Sequence, residues 1–290
     1  MKHTVVVGYD QSPSGERALG QAGREAAWRN GSVTVVNAFQ AVLTSPIGYF
    51  PTDVETSLKE AADEIAAAGV AGVRQRYPGM TVDSAVVAGP AADALAEASR
   101  DADLLVLGNR GRGGFAGLLL GSVSMRTLTL ASCPTMIVRG AQRDPVHTVL
   151  LAVDVADPAE ESMDFAFADA SMRRAQLKAV TVWDLDWIGA DDPDTADSLV
   201  KAERNARADI RSTLERQLRP WHAEHPEVHV VAEVLGGTPS AALTDLTGST
   251  DLIVAGAHRR GDDHLGMRPG PTAHTLLHHA DCPVVVVPRA

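Results

Sequence analysis

The chain has 290 residues, of which 45% are hydrophobic and 22% charged, enough apolar side chain for a core in each of two ordinary domains and too much for a disordered or collagen-like chain. Twenty-six Lys and Arg against 37 Asp and Glu give 26 − 37 = −11, which argues against a general basic field for nucleic acid or an anionic membrane and leaves room for a local anion site. The stretch from Met1 to Asp10 is too short an apolar run for a signal peptide, and no run of about 18 apolar residues follows, so the expected compartment is the cytoplasm, with no membrane partner. Cys133 and Cys282 are too few for a disulfide scaffold and lack a CxxC spacing.

Short β-branched runs alternate with longer amphipathic stretches along the first half. Strands are expected near 4–8, 33–38, 82–87, 103–107 and 134–138, and helices near 14–29, 54–76, 91–100 and 122–131. Leu104-Leu105-Val106-Leu107 is apolar without alternation, as in a parallel strand covered on both faces. Right-handed crossovers then give a doubly wound α/β sheet, whose ligands sit beyond the carboxyl ends of the strands.

The second half repeats the first. His3-Thr4-Val5-Val6-Val7-Gly8-Tyr9-Asp10 returns 144 residues later as His147-Thr148-Val149-Leu150-Leu151-Ala152-Val153-Asp154. Ala102–Gly108 matches Thr250–Gly256 at an offset of 148, and Ser132–Val138 matches Asp281–Val287 at 149. A repeat of this length is a duplicated domain, not a solenoid element. The units are expected over 1–140 and 146–290, joined by the polar segment Arg139-Gly140-Ala141-Gln142-Arg143-Asp144-Pro145.

Chemistry-bearing residues gather at two strand ends. The first expected strand runs into Asp10-Gln11-Ser12, and the fourth into Gly108-x2-Gly111-x9-Gly121-Ser122. Glycines let backbone approach a phosphate, and Gly121-Ser122 opens a helix whose N-terminus attracts an anion. Asp10 could equally cap the following helix, and Arg110 and Arg112 could neutralise phosphate or simply be solvated. Neither a Walker loop nor an early GxGxxG is present, and the lysines, Lys2, Lys59, Lys178 and Lys201, lie outside both glycine loops, which weighs against a kinase or a dehydrogenase.

The duplicated unit, Asp10-Gln11-Ser12 and the Gly-x2-Gly-x9-Gly-Ser motif together resemble a tandem-domain universal stress protein, over essentially the whole chain. The resemblance implies a flavodoxin-like fold with strand order 3-2-1-4-5, which sets the ends of the first and fourth strands at the switch point. It also implies binding of ATP, with or without Mg2+. Asp10 would face ribose and phosphate, Ala38 the adenine, and Gly108, Gly111, Gly121, Ser122 and Val123 the phosphates, with Ser12, Arg110 and Ser124 beside them. It further implies a stress-response setting, and antiparallel pairing of the last strands of the two units as an internal pseudo-dimer. A further homodimer and an unidentified regulatory protein partner are expected with it. The cysteines would then lie at opposite ends of the paired strands, roughly 15 Å apart and beyond disulfide reach.

The second unit keeps Asp154, Gly256 and Gly270 at the places of Asp10, Gly108 and Gly121, but Ala156, Arg259 and Pro271 stand for Ser12, Gly111 and Ser122. Proline offers a phosphate neither N–H nor hydroxyl, so a weaker or shifted second site is expected. His274 and His278 share a helical face near His279 and Cys282 without completing a metal set, and His222, His225 and His229 lie around a connection from Trp221 to Pro226. The acidic run Asp184, Asp186, Asp191, Asp192, Asp194 and Asp197 reads as a solvated loop. Three functions remain open: a nucleotide-binding regulator with slow or no hydrolysis, an ATPase or phosphoryl or nucleotidyl transferase, and a nucleotide-free interaction scaffold.

Overall fold

A computed structural model describes residues 3–40, 52–112, 119–140, 144–183, 193–259 and 266–289. The first unit runs β1 (Thr4–Gly8), α1 (Pro13–Trp28), β2 (Ser32–Phe39), α2 (Thr52–Arg76), β3 (Val82–Ala88), α3 (Ala91–Ala98), β4 (Leu104–Gly108), α4 (Ser122–Leu130) and β5 (Thr135–Val138). The second follows as β6 (Thr148–Ala152), α5 (Glu160–Arg173), β7 (Gln176–Trp183), α6 (Pro193–Glu224), β8 (Val230–Gly236), α7 (Pro239–Leu246), β9 (Leu252–Arg259), β10 (Met267–Arg268), α8 (Pro271–His279) and β11 (Val284–Pro288).

Local chemistry sets these boundaries. Ser12 caps α1 by accepting Gly15 N–H at 3.0 Å, and Pro13 follows in the first turn, where its missing N–H costs nothing. Asp103 accepts Thr4 N–H at 2.7 Å, and Asp251 accepts Val146 and Thr148 N–H at 2.8 and 3.0 Å, so the same carboxylate ties the first strand of each unit to its fourth.

Among the described residues the strands join one sheet in the order β3-β2-β1-β4-β5-β11-β9-β6-β7-β8, with β10 hairpinned onto β9. Each unit has the expected 3-2-1-4-5 order, and those five strands pair in parallel. The units meet where β5 and β11 pair antiparallel, Met136 opposite Val285. Cys133 and Cys282 precede these strands at opposite ends, and both are buried free thiols.

Helices cover both faces, which is why Leu104–Gly108 is buried throughout. Side-chain alternation sends Val5 and Val7 to one layer, with Leu19, Phe167 and Leu214, and Val6 to the other, with Leu95, Leu128 and Leu276. Each apolar layer runs across both units.

The join also buries charge. Glu25 of α1 and Arg29, its C-cap, interlock with Asp169 and Arg173 of α5 in a closed quartet: Arg29 reaches Glu25 and, at 2.8 Å, Asp169, while Arg173 reaches both carboxylates. The two helices supply equivalent residues, 25 and 29 recurring 144 places on at 169 and 173. Burial alone would raise the Glu25 pKa, but Arg173 and Arg29 outweigh it and hold the carboxyl below its ordinary value. Arg173 also stacks 4.2 Å from the Trp28 ring centroid. At the end of β5, Arg139 donates to the carbonyls of Leu277 (2.7 Å), His278 and Ala280 (3.2 Å), capping the C-terminus of α8 across the join.

Two expectations about loops change. α6 begins at Pro193, so 194 and 197 are helical positions, while 184–192 of the acidic run lie outside the described residues. The same helix continues through Trp221 and His222 to Glu224, so the connection expected there is shorter.

Candidate functional site

The switch point of the first unit lies between the carboxyl ends of β1 and β4. Here Asp10 spends its carboxylate on two loops at once: Oδ1 accepts Ser12 N–H at 3.0 Å, closing the turn into α1, and Oδ2 accepts Arg112 N–H at 3.1 Å, holding the start of the glycine loop. Capping and site-building are therefore one act for this side chain. Ser14 supplies a second tie, its hydroxyl donating to Asn109 Oδ1 at 2.7 Å and accepting Arg110 N–H at 3.2 Å.

Gly108 and Gly121 differ in why they are glycine. A Cβ at Gly108 would stand 2.6 Å from Ser14 Oγ and 2.8 Å from the Ser14 carbonyl, so this residue is small because α1 crosses β4 there. A Cβ at Gly121 would meet nothing nearer than 3.5 Å, and the residue's φ of −75° suits any L-residue. The fold does not require glycine at 121. Gly121 is the N-cap of α4 and provides no side-chain cap, so first-turn N–H groups face outward with the positive end of the helix dipole. Gly121 N–H itself donates to Asn109 O at 2.8 Å, which anchors the far end of the glycine loop beside its start.

A cleft of about 410 Å³ opens in front of this helix start. Ala38 and Gln40 from the end of β2 form one wall, Gly89–Ala92 another, and Ser122, Val123 and Arg126 of α4 the third. Ser122 and Val123 are exposed to it, and Arg126 reaches Asp93 across its rim at 3.3 Å. Its size lies in the usual range for small-molecule sites, and its chemistry is mixed: apolar at Ala38 and Pro90, donor-rich at the α4 terminus.

The expected residues thus divide by role. Ala38, Ser122 and Val123 share the cleft; Asp10, Gly111 and Arg112 form the adjoining loop, a Cβ at Gly111 falling 3.0 Å from Asp10 Oδ2. Ser12 is buried as the α1 cap. Ser124 is also buried, its hydroxyl donating to Gly108 O at 2.7 Å, a brace between α4 and β4. Arg110 Nε is shielded from solvent without a hydrogen-bond partner among the described residues, and its charge, after burial, helps lower the Arg139 pKa. Residues 113–118 of the loop lie outside the described residues. The Ser14–Asn109 tie and the Gly89–Ala92 wall were not foreseen; Ser14 and Asn109 stand in the two strand-end segments, but they are 95 residues apart in the chain.

The second unit builds this place differently. Asp154 keeps the turn, accepting Ala156 N–H at 3.0 Å, but β9 runs on through Arg259 and folds back as β10, pairing Arg259 with Met267 and His258 with Arg268. A hairpin stands where the first unit opens its loop. Arg289 then forks onto the Asp157 carboxylate with two bonds of 2.6 Å and onto Pro158 O at 3.2 Å, with its Cδ 3.9 Å from a Cβ built on Gly256. The hydrogen bond to Asp157 raises the Arg289 pKa against the opposing effect of burial. An internal cation thus covers the strand ends. Gly270 caps α8 with open space around it, but Pro271 removes the next N–H.

Among the described residues no group of three or more His, Cys, Asp or Glu is placed to hold a metal, and no helix is long and apolar enough to cross a membrane. His274 and His278 do stack, with ring centroids 4.5 Å apart.

A family model described as the universal stress protein family matches residues 1–139 and again 145–288. A universal stress protein of Mycolicibacterium smegmatis is 32% identical over 293 residues, covering 99% of this chain and 97% of that protein. One of Mycobacterium tuberculosis is 31% identical over 294 residues, 98% of this chain and 97% of its own. The crystal structure of a universal stress protein from Archaeoglobus fulgidus superposes with a TM-score of 0.68 at 19% identity, covering 99% of this chain and 98% of that one, a likeness of fold. The chain belongs to the universal stress protein family and carries the family's unit twice.

Proposed function

We propose that the first unit binds ATP and that the protein is a nucleotide-dependent regulator in a stress response, with slow hydrolysis or none. The observation that carries this reading is Gly121: a glycine the fold does not need, at the uncapped start of a helix facing a cleft of about 410 Å³. In this reading adenine lies between Ala38 and the Pro90–Ala92 wall. The phosphates lie against the α4 N–H groups, the Ser122 hydroxyl and the Gly111–Arg112 backbone, with Arg110 as a nearby positive charge. Asp10 holds that loop in place, and its unused lone pairs face ribose or a magnesium ion bound with the phosphates. Bound Mg2+ would supply charge neutralisation between phosphate oxygens.

The second unit binds nucleotide more weakly, because the β9–β10 hairpin and the Arg289–Asp157 pair occupy the loop's place. No lysine lines the described cleft, which favours occupancy over turnover. The same reading puts the protein in the cytoplasm, as a homodimer of chains whose nucleotide state is read by a protein partner.

The test is to purify the full chain gently, denature it in acid and identify released nucleotide by ion-exchange chromatography, alongside thermal melting with ATP and Mg2+. ATP or ADP released in near-stoichiometric amount, with a raised Tm, is expected. Release of neither together with an unchanged Tm would establish the scaffold reading instead.

A further inference from the structure

A second cleft, of about 910 Å³, opens between the units and shares no lining residue with the nucleotide cleft. Its floor is α1 and the end of α2 from the first unit; its far wall is the amino ends of β6, β9 and β11 from the second. Arg17 and Arg24 lie seven residues apart on one face of α1, and Arg76 comes from α2 to place Nη1 2.8 Å from a Cβ built on Gly20, between them. The Tyr77 ring packs on Gly23, so the charges of both Arg24 and Arg76 reach its hydroxyl.

None of these three arginines has a carboxylate within salt-bridge distance among the described residues. Among the described residues Arg17 has only a 3.4 Å contact to Asn109 Oδ1, and Arg24 one bond to Gln21 Oε1 at 2.6 Å, with its Nε buried and unpartnered. Arg76 has no carboxylate within salt-bridge reach among the same residues. The carboxylates of the cleft are committed elsewhere: Glu16 accepts from Tyr9, Asp251 from Val146 and Thr148, and Asp281 faces Arg139. Arg173, also on the wall, is held in the buried quartet. The duplication supplies an internal comparison, since 144 residues on from Arg17 and Arg24 stand Glu161 and Ala168. The cationic wall belongs to one unit, in a chain of net charge −11.

We propose that this cleft is a binding site for a small polyanion, phosphorylated or polycarboxylate, gripped by Arg24 and Arg76 with Arg17 beside them and an aromatic surface at Tyr77 and Trp28. Arginine forks suit either anion, and the volume suits a metabolite rather than a polymer. Because both units line the cleft, occupancy stabilises their join by mass action.

The test is calorimetric titration of the full chain with pyrophosphate and, separately, citrate, for wild type, Arg24→Gln/Arg76→Gln and Gly121→Ala. At least one probe binds wild type more tightly than about 1 mM in an event that weakens about tenfold or more in the double arginine variant, weakens as salt rises, and persists in Gly121→Ala, where only pyrophosphate held at the α4 start is lost. Which probe binds distinguishes phosphoryl from carboxylate ligands. If the glutamine variant does not fold, Arg24→Lys/Arg76→Lys keeps the charge, loses the fork and should still weaken binding several-fold. Binding equal in wild type and the arginine variants overturns the site, as does binding by neither probe, or binding lost in Gly121→Ala alone.

Discussion

Replacing Gly121 by alanine separates ligand from fold. The new methyl would lie 3.5 Å from Arg110 Cα and Asn109 O, ordinary contact distances, on a backbone with φ of −75°. Alanine removes unfolded-state freedom, worth about 0.4–1 kcal/mol, but is a poorer N-cap than glycine by a similar amount, so net stability should move by less than about 1 kcal/mol. In the proposed binding mode the methyl crowds the gap between the Asn109–Gly111 backbone and the α4 start, where phosphate approaches the α4 N–H groups. ATP affinity should therefore fall at least tenfold, about 1.4 kcal/mol. Gly108→Ala is the counterpart: its Cβ, 2.6 Å from Ser14 Oγ and 2.8 Å from Ser14 backbone atoms, forces α1 off β4 and should cost about 1–3 kcal/mol of stability. Urea unfolding reads one quantity and calorimetric titration the other. Wild-type ATP affinity in Gly121→Ala, or destabilisation equal to that of Gly108→Ala, would refute the reasoning.

Other residues give independent checks. Glu25→Gln leaves Arg29 and Arg173 buried with half their negative partners, and should cost about 3–5 kcal/mol in urea unfolding; a loss under about 1 kcal/mol would show that the quartet is not what holds α1 to α5. Asp10→Ala frees Ser12 and Arg112 N–H and should cost about 1–2 kcal/mol while weakening ATP, with faster amide exchange at 112; unchanged exchange would deny the loop-holding role. Burial first, then His274, lowers the His278 pKa in the folded chain, with Arg139 and His279 adding to it. The folded state then binds fewer protons than the unfolded one, so this contribution to stability is complete above about pH 6.5 and is lost as pH falls below it. Melting at pH 7.5 and 5.5 should show a smaller difference for His278→Gln than for wild type, and an equal difference would count against the shift.

Much of the fold was legible because it is written in local pattern. The runs at 4–8 and 82–87 fall within one residue of β1 and β3, and Gly121-Ser122 opens α4 as expected. The fourth strand starts at Leu104 because Asp103 turns its carboxylate to Thr4. The quartet was not read: Glu25 with Arg29, and Asp169 with Arg173, look like ordinary helix-surface pairs, and only their recurrence 144 residues apart could have brought the four together. Nor was the β9–β10 hairpin, since two-residue pairing at 258–259 with 267–268 has no periodicity to show. The resemblance gives Ser124 and Asp10 as ligand groups; their hydrogen bonds also tie strand, loop and helix together, a long-range role that spacing does not reveal.

On the proposed function, duplication left two folds of one kind and one well-formed nucleotide site. Titrating the full chain with ATP and Mg2+ measures this most directly, through stoichiometry. One tight site per chain is predicted, abolished or weakened at least tenfold by Gly121→Ala, with any second event much weaker. Two equivalent sites per chain, or a single site indifferent to Gly121→Ala, would contradict it.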